Sequence, residues 1–143
     1  MTAVNPYLNF NGNTEEAFNF YKSVFGGEFQ AIMRFGDNPG CGEIAEADKS
    51  KIMHIALPIG NGTILMATDA LESMGQKLTL GNNSYICLAP DSKDEADRLF
   101  NGLSAGGKVE MPIQDMFWGD YFGSFADKFG VQWMVDYNKN RQQ

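Results

Sequence analysis

The stretch NTEEAFNFYKSVFGG, residues 13–27, decides the fold. Asn13 is a residue type that caps helices through its side chain, and Glu16 lies three residues on, where it can complete a capping box. Apolar side chains then recur at helical spacing: Ala17, Phe18, Tyr21, Val24 and Phe25. Gly26 and Gly27 follow, and glycine accepts the left-handed backbone that ends many helices. The stretch therefore predicts an amphipathic helix with defined ends.

A second stretch, SKDEADRLFNGLSAGG at residues 92–107, has the same organisation. Ser92 takes the place of the capping residue, and Glu95 follows it at the same offset. The apolar side chains are again at helical spacing: Ala96, Leu99, Phe100 and Leu103. Two helices with matching ends and matching apolar faces indicate a duplicated unit.

Short apolar segments flank both helices in the same order, one before and three after. The predicted strands are residues 7–10, 29–35, 52–59 and 63–67 in the first half, and 85–88, 109–113, 121–126 and 131–137 in the second. The turn Gly60-Asn61-Gly62 favours a hairpin, because Asn and Gly accept positive φ. The sequence thus predicts an α+β fold of two βαβββ modules, residues 1–70 and 84–143, joined by a linker at 71–83 within a single domain.

A polar segment, residues 36–50, interrupts the first module. Loops of this length in compact domains are usually functional or disordered. Glu43 and Glu46 could close over a ligand as a lid, although a charge-rich loop is more often simply exposed.

The net charge and the scattered basic residues limit the classes of partner that the protein can bind. The chain has 143 residues, a net charge of −7 and only 11 scattered Lys and Arg residues, whereas binding to nucleic acid or anionic membranes needs clustered basic residues. No apolar run reaches the roughly 20 residues of a membrane span, and residues 1–10 lack the pattern of a secretory signal. We therefore expect a cytoplasmic protein that binds neither nucleic acid nor membrane.

The two cysteines do not form a disulfide framework. Cys87 lies in an apolar segment, which favours a buried and inert thiol. Cys41 lies in the polar segment and is expected to be exposed. Neither has a neighbouring His or a second Cys close by in sequence, so a catalytic thiol is disfavoured.

Four stretches give the chain a family resemblance. Residues 7–21 (YLNFNGNTEEAFNFY) resemble the opening of the PhnB-like branch of the vicinal oxygen chelate superfamily, which includes glyoxalases and bleomycin-resistance proteins. Residues 33–37, 54–60 and 118–133 fit the same branch in the same order. The resemblance implies paired modules, each a curled mixed sheet around a cavity, with a homodimer and a small organic ligand as partners. In metal-dependent relatives, His and Glu side chains of both modules bind one divalent ion, which acts as a Lewis acid on vicinal oxygens.

The sequence disfavours that metal site. His54 is the only histidine, whereas the implied ligand sets need two. The carboxylate ligand of the relatives lies a few residues past a turn glycine on the last strand of each module, and counting from Gly62 and Gly130 gives Met66 and Met134. Thioethers are poor ligands for hard divalent ions. A register shifted by one residue would bring Ala67 and Val135 there, and neither binds metal, so no metal cofactor is predicted.

Two interpretations of His54 remain open. It is either a partly buried strand histidine that is hydrogen-bonded to a neighbour, or a cavity-facing catalytic base or lone metal ligand assisted by carboxylates. Strand alternation puts it on one face with Ala56 and Pro58, and Ile55, Leu57 and Ile59 on the other. The sequence does not say which face lines a cavity.

The other candidate ligand-binding residues are mostly apolar: Met66, Trp118, Tyr121 and Met134. They either pack in the core or line a pocket, since Met and aromatic side chains adapt to flat organic ligands. Arg34, on a predicted strand, could grip a carboxylate or phosphonate through its planar fork. Asp69 and Asp136 follow the two Met-bearing strands, Asp115 and Asp120 bracket the Trp118 loop, and most of these four carboxylates are expected to be solvated.

Three functions are compatible with this pattern. The favoured one is a small-molecule-binding protein or metal-independent enzyme with an apolar cavity. The alternatives are a divalent-metal lyase, isomerase or dioxygenase with an atypical site around His54, and a drug-sequestering dimer of the bleomycin-resistance type. All three depend on analogy of fold, and one fold hosts many activities.

Overall fold

A computed structural model describes residues 2–37, 40 and 42–140. The order strand, helix, strand, strand, strand occurs twice, as predicted. The elements of the first half are β1 (Tyr7–Phe10), α1 (Thr14–Phe25), β2 (Ala31–Arg34), β3 (Ile52–Gly60) and β4 (Thr63–Asp69). Those of the second half are β5 (Ile86–Leu88), α2 (Lys93–Ser104), β6 (Lys108–Asp115), β7 (Tyr121–Ala126) and β8 (Gln132–Tyr137). The chain divides into two units between Thr79 and Leu80, a point inside the predicted linker.

The first unit is a four-stranded mixed sheet with strand order β1-β4-β3-β2 and one face under α1. β1 runs parallel to β4, and the other pairs are antiparallel. Phe18 of α1 is fully buried and meets the Phe10 ring edge-on at 6.4 Å. The sheet residues below the helix are also buried: Ile55, Leu57, Leu65 and Ala67.

The second unit repeats this arrangement with strand order β5-β8-β7-β6 and one face under α2. Phe100 of α2 packs edge-on against Phe125 of β7, with 5.0 Å between the ring centroids. Trp133 and Val135 of β8 are fully buried on the same side. Both sheets are open rather than closed barrels, and the predicted α+β fold is confirmed.

The two helices begin differently, although the sequence predicts the same cap. The Ser92 hydroxyl accepts a hydrogen bond from the Glu95 N–H, as expected, while the Glu95 carboxylate accepts from the Asp91 N–H. The Asn13 side chain makes no capping bond, so that prediction is wrong. Its role falls to Asp69, whose carboxylate accepts from the Thr14 N–H.

The burial of Asp69 and Cys87 differs from the expectation for one reason. Asp69 is 1% exposed rather than solvated, and Cys87 is exposed rather than buried. Each sheet has one face covered by its helix, so a residue's environment depends on its parity along the strand. Asp69 lies on the covered face with Ala67, whereas Cys87 pairs with Met134 on the opposite face.

The polar segment 36–50 contains local structure. Short 3-10 helices span Phe35–Asp37 and Glu46–Asp48. Asp48 is buried, and its carboxylate contacts Lys51 and Ser73. Glu43 and Glu46 are exposed. Cys41 lies outside the described residues.

Candidate functional site

His54 lies on the face of the first sheet that α1 does not cover. Ile55 and Leu57 are buried on the helix side, so alternation along β3 turns His54 and Ala56 to the other side. We call this side the open face. On strands β1 to β4 none of the open-face side chains is Asp, Glu, Lys or Arg. These side chains are Tyr7, Asn9, Ala31, Met33, His54, Ala56, Pro58, Ile64, Met66 and Thr68.

Tyr7 is the functional candidate that sequence reasoning missed. Its hydroxyl lies 3.2 Å from His54 Nδ1, and the two rings stack with centroids 5.8 Å apart. Tyr7 is 47% exposed. Partial burial raises the pKa of the Tyr7 phenol. Parallel pairing of β1 with β4 would have revealed it, since that register puts Tyr7 beside Met66.

Met66 and Met134 occupy equivalent places in the two units. Met66 is partly exposed in β4, between Tyr7 of β1 and Ala56 of β3. Met134 is partly exposed in β8, between Cys87 of β5 and Ser124 of β7. Each methionine therefore lies on an inner strand, on the sheet side opposite the helix.

The two aromatic candidates of the second unit lie in different environments. Trp118 is 50% exposed in the turn before β7, and its ring is 6.2 Å from that of Phe122. Tyr121 instead donates a hydrogen bond of 2.5 Å from its hydroxyl to Asp97 of α2. This bond, assisted by partial burial, raises the pKa of Tyr121 to about 12. The Tyr121 hydroxyl therefore joins β7 to α2. It does not lie with Met134 on the face of the second sheet that α2 leaves uncovered.

Arg34 is engaged with α1. Its guanidinium makes a two-pronged contact with the Glu15 carboxylate, at 3.1 and 2.6 Å, and donates to the Ser50 carbonyl at 2.8 Å. The hydrogen bond from Arg34 lowers the pKa of Glu15. Because this fork already holds a carboxylate, an anionic ligand would have to displace Glu15. The structure does not bring Arg34 to the open face with His54.

No three His, Cys, Asp or Glu side chains within residues 2–37, 40 and 42–140 come together as a metal-binding group. A surface depression of about 360 Å³ is lined by Glu72, Gly75, Gln76 and Lys77. None of the predicted site residues lines it.

Comparison with known proteins agrees with this architecture. The family model described as Glyoxalase/Bleomycin resistance protein/Dioxygenase superfamily matches residues 3–135. The chain belongs to this superfamily. Protein YjdN of Escherichia coli K12 is 33% identical over an alignment of 150 positions that covers 96% of this chain and 97% of YjdN. Members of the glyoxalase superfamily are commonly dimeric and bind small ligands.

Two solved structures resemble this chain over nearly its whole length. Protein PA1353 from Pseudomonas aeruginosa is 43% identical, with a TM-score of 0.85 and coverage of 96% of this chain and 98% of that protein. A PhnB protein from Bacillus cereus is 27% identical, with a TM-score of 0.73 and coverage of 95% and 99%. The latter supports the predicted PhnB-like branch. In the part of the chain that the structure describes, no helix has the length and apolarity to cross a membrane.

Proposed function

We propose that this protein binds a small organic molecule on the open face of its first sheet without a metal ion. The support is the pair Met66 and Met134, which occupy equivalent places on inner strands of both units. In metal-dependent members of the superfamily, the corresponding places hold carboxylates. In each unit the thioether offers an adaptable apolar surface and is a poor ligand for hard ions such as Mg²⁺ or Mn²⁺.

The environment of His54 supports the same proposal. A metal-binding histidine offers a lone pair to the ion and usually donates its other N–H to a carboxylate or carbonyl. Here Nδ1 faces the Tyr7 hydroxyl, and no carboxylate lies on the open face. This arrangement favours a polar anchor for an organic ligand.

The metal content of the purified protein tests the first half of the proposal. Protein prepared without chelators and analysed by plasma mass spectrometry is expected to hold well under one metal ion per chain. The His54→Ala variant is the control, since a metal bound at this site would be lost with the imidazole. Stoichiometric Mn, Fe, Ni or Zn that disappears in this variant would refute the proposal and favour the metal-dependent alternative.

Ligand retention tests the second half. Native mass spectrometry of the same preparation is expected to show an organic adduct below 1 kDa that denaturation releases. Met66→Gln should weaken binding of that molecule about fivefold, because it replaces an apolar contact worth about 1 kcal/mol. Met74→Gln is the matched control, since Met74 is 55% exposed in a 3-10 helix outside the open face. Equal effects of the two substitutions would argue against a site at Met66.

We further propose that the protein is a homodimer, as is common in its superfamily. Light scattering after size-exclusion chromatography should then give twice the chain mass of 15.8 kDa. A mass of one chain at micromolar concentration would refute this.

A further inference from the structure

We propose that Tyr7 and His54 together form a hydrogen-bond donor for the carbonyl oxygen of an uncharged, largely apolar ligand. This inference rests on the proposed function, because it names the ligand chemistry of the same open face. It adds Tyr7 to the site and gives the pair a defined role in recognition.

Tyr7 and His54 together have two protons that they can donate in hydrogen bonds. A neutral imidazole has one N–H and the phenol has one O–H. The contact between the Tyr7 hydroxyl and His54 Nδ1 uses one of these two protons, whichever group donates. The other remains available, as an Nε2–H in one tautomer and as the phenolic O–H in the other. In both tautomers the pair therefore offers one donor to a ligand.

The charge of the open face favours an uncharged hydrogen-bond acceptor in the ligand over a carboxylate. The open face includes no Lys or Arg that could neutralise an anionic ligand, and the chain as a whole carries a net charge of −7. Arg34, the basic residue among the predicted ligand-binding residues, is held by Glu15 on the helix side. A carboxylate would lose its hydration without a compensating cation, which is unfavourable. A ketone, amide or ester carbonyl accepts the same hydrogen bond at a lower desolvation cost.

The neighbours of the pair supply the apolar part of the site. Met33 is directly opposite His54 across the β2–β3 ladder and is 41% exposed. Met66 is beside Tyr7 across the β1–β4 ladder. A flat body resting on these thioethers would bring one polar edge to Tyr7 and His54. Exposure of both Tyr7 and Met33 leaves this part of the face accessible.

Three fluorescent naphthalenes that share one apolar body test the inference. They are 6-propionyl-2-(dimethylamino)naphthalene, which carries a ketone, 2-(dimethylamino)naphthalene, which has no carbonyl, and 6-(dimethylamino)-2-naphthoate, which carries a carboxylate. We expect the wild-type protein to bind the ketone at least about fivefold more tightly than either of the others, the effect of one hydrogen bond. Bound ketone should also emit at a longer wavelength than it does in a dry apolar solvent.

The decisive variant replaces both groups, Tyr7→Phe with His54→Phe, and keeps an aromatic ring at each place. It should bind the ketone and the carbonyl-free compound equally, because neither phenyl ring offers a hydrogen-bond donor. Tyr85→Phe is the matched control, since Tyr85 is an exposed tyrosine whose hydroxyl donates to Glu110 in the second unit. It should leave the fivefold preference unchanged.

The outcomes separate this inference from the proposed function. Equal wild-type affinity for the ketone and the carbonyl-free compound, or a preference that survives in the double variant, overturns the inference and leaves the proposed function standing. Tighter binding of the naphthoate overturns it in favour of an anion site. Binding of none of the three compounds counts against both. If the double variant does not fold, the emission wavelength of the ketone on wild type decides, because an unshifted emission excludes the hydrogen bond.

Discussion

Asp69, the last residue of β4, accepts a hydrogen bond of 3.1 Å from the backbone N–H of Thr14, the first residue of α1. The same Oδ1 accepts from the Thr14 hydroxyl and the Gly12 N–H, and Oδ2 accepts from the Ile52 N–H. One buried carboxylate thus links the start of the helix to the ends of two strands. The negative charge also lies at the positive end of the helix dipole.

Asp69→Asn should destabilise the protein by about 3 kcal/mol. The amide NH₂ of Asn would face donors that now meet a carboxylate oxygen, which leaves a buried donor such as the Ile52 N–H unsatisfied. Urea unfolding followed by circular dichroism measures the loss. Asn13→Ala is the control, and it should cost under about 0.5 kcal/mol because the Asn13 side chain makes no capping bond. A larger loss in the Asn13 variant than in the Asp69 variant would contradict this assignment.

The contrast between Asn13 and Asp69 shows what sequence patterns can predict. The positions of the helices, their apolar faces and the order of elements along the chain follow from local periodicity, so α1, α2 and β7 lie where expected. Which residue caps α1 depends on a contact between positions 55 apart in sequence. No local pattern encodes that contact, so the local sequence predicts Asn13 as the cap.

The candidate site was predictable to a similar extent. Alternation along β3 predicts that His54 and Ile55 point to opposite faces of the sheet. Only the position of α1 shows which of these faces is covered. Tyr7 was missed because its contact with His54 spans 47 residues and crosses the sheet. Residue type alone indicates Arg34 and Tyr121, whereas their environment depends on the partners Glu15 and Asp97 on the helices.

Tyr121 should give the protein a stability that declines in strong alkali. Its pKa is raised to about 12 in the folded state, above the value near 10 expected for an unfolded chain. The folded state therefore favours the protonated phenol. This contribution is complete below pH 10 and is lost as the pH rises through 12. In Tyr121→Phe, the free energy of unfolding should no longer show the decrease that this phenol causes between pH 10 and 12.

Absorbance at 295 nm provides a second measurement of Tyr121. The wild-type titration should contain one tyrosine that ionises near pH 12, and Tyr121→Phe should lack it. Asp97→Asn should move this step to lower pH, because the carboxylate that accepts the phenolic proton is removed. Asp94→Asn, an exposed change on the same helix, should leave it in place. An unmoved step in the Asp97 variant would contradict the assigned cause.

Gly123→Ala should destabilise the second unit by at least about 2 kcal/mol. A methyl group at Gly123 would lie 2.6 Å from Cε2 of Phe100 and 2.8 Å from Cα of Ile113. Because one of these atoms is backbone, relief requires a shift of β6 or α2, and overpacking of this kind usually costs 1–3 kcal/mol. Thermal unfolding would measure the change. Gly81→Ala, where a methyl group would meet nothing within 4 Å, should be nearly neutral, and similar losses in both variants would refute the packing argument.

Cys87 should react readily with thiol reagents in the native protein. It is exposed on the side of β5 opposite α2, where it pairs with Met134. Alkylation of an exposed thiol does not require unfolding, so the native rate with iodoacetamide should lie within about tenfold of the rate in urea. Peptide mass spectrometry assigns the label to Cys87 rather than Cys41, and Cys87→Ser is the control that should remove it. If Cys87 reacted a hundredfold or more slowly in the native protein than in urea, its thiol would be buried, as its apolar neighbours in sequence suggest.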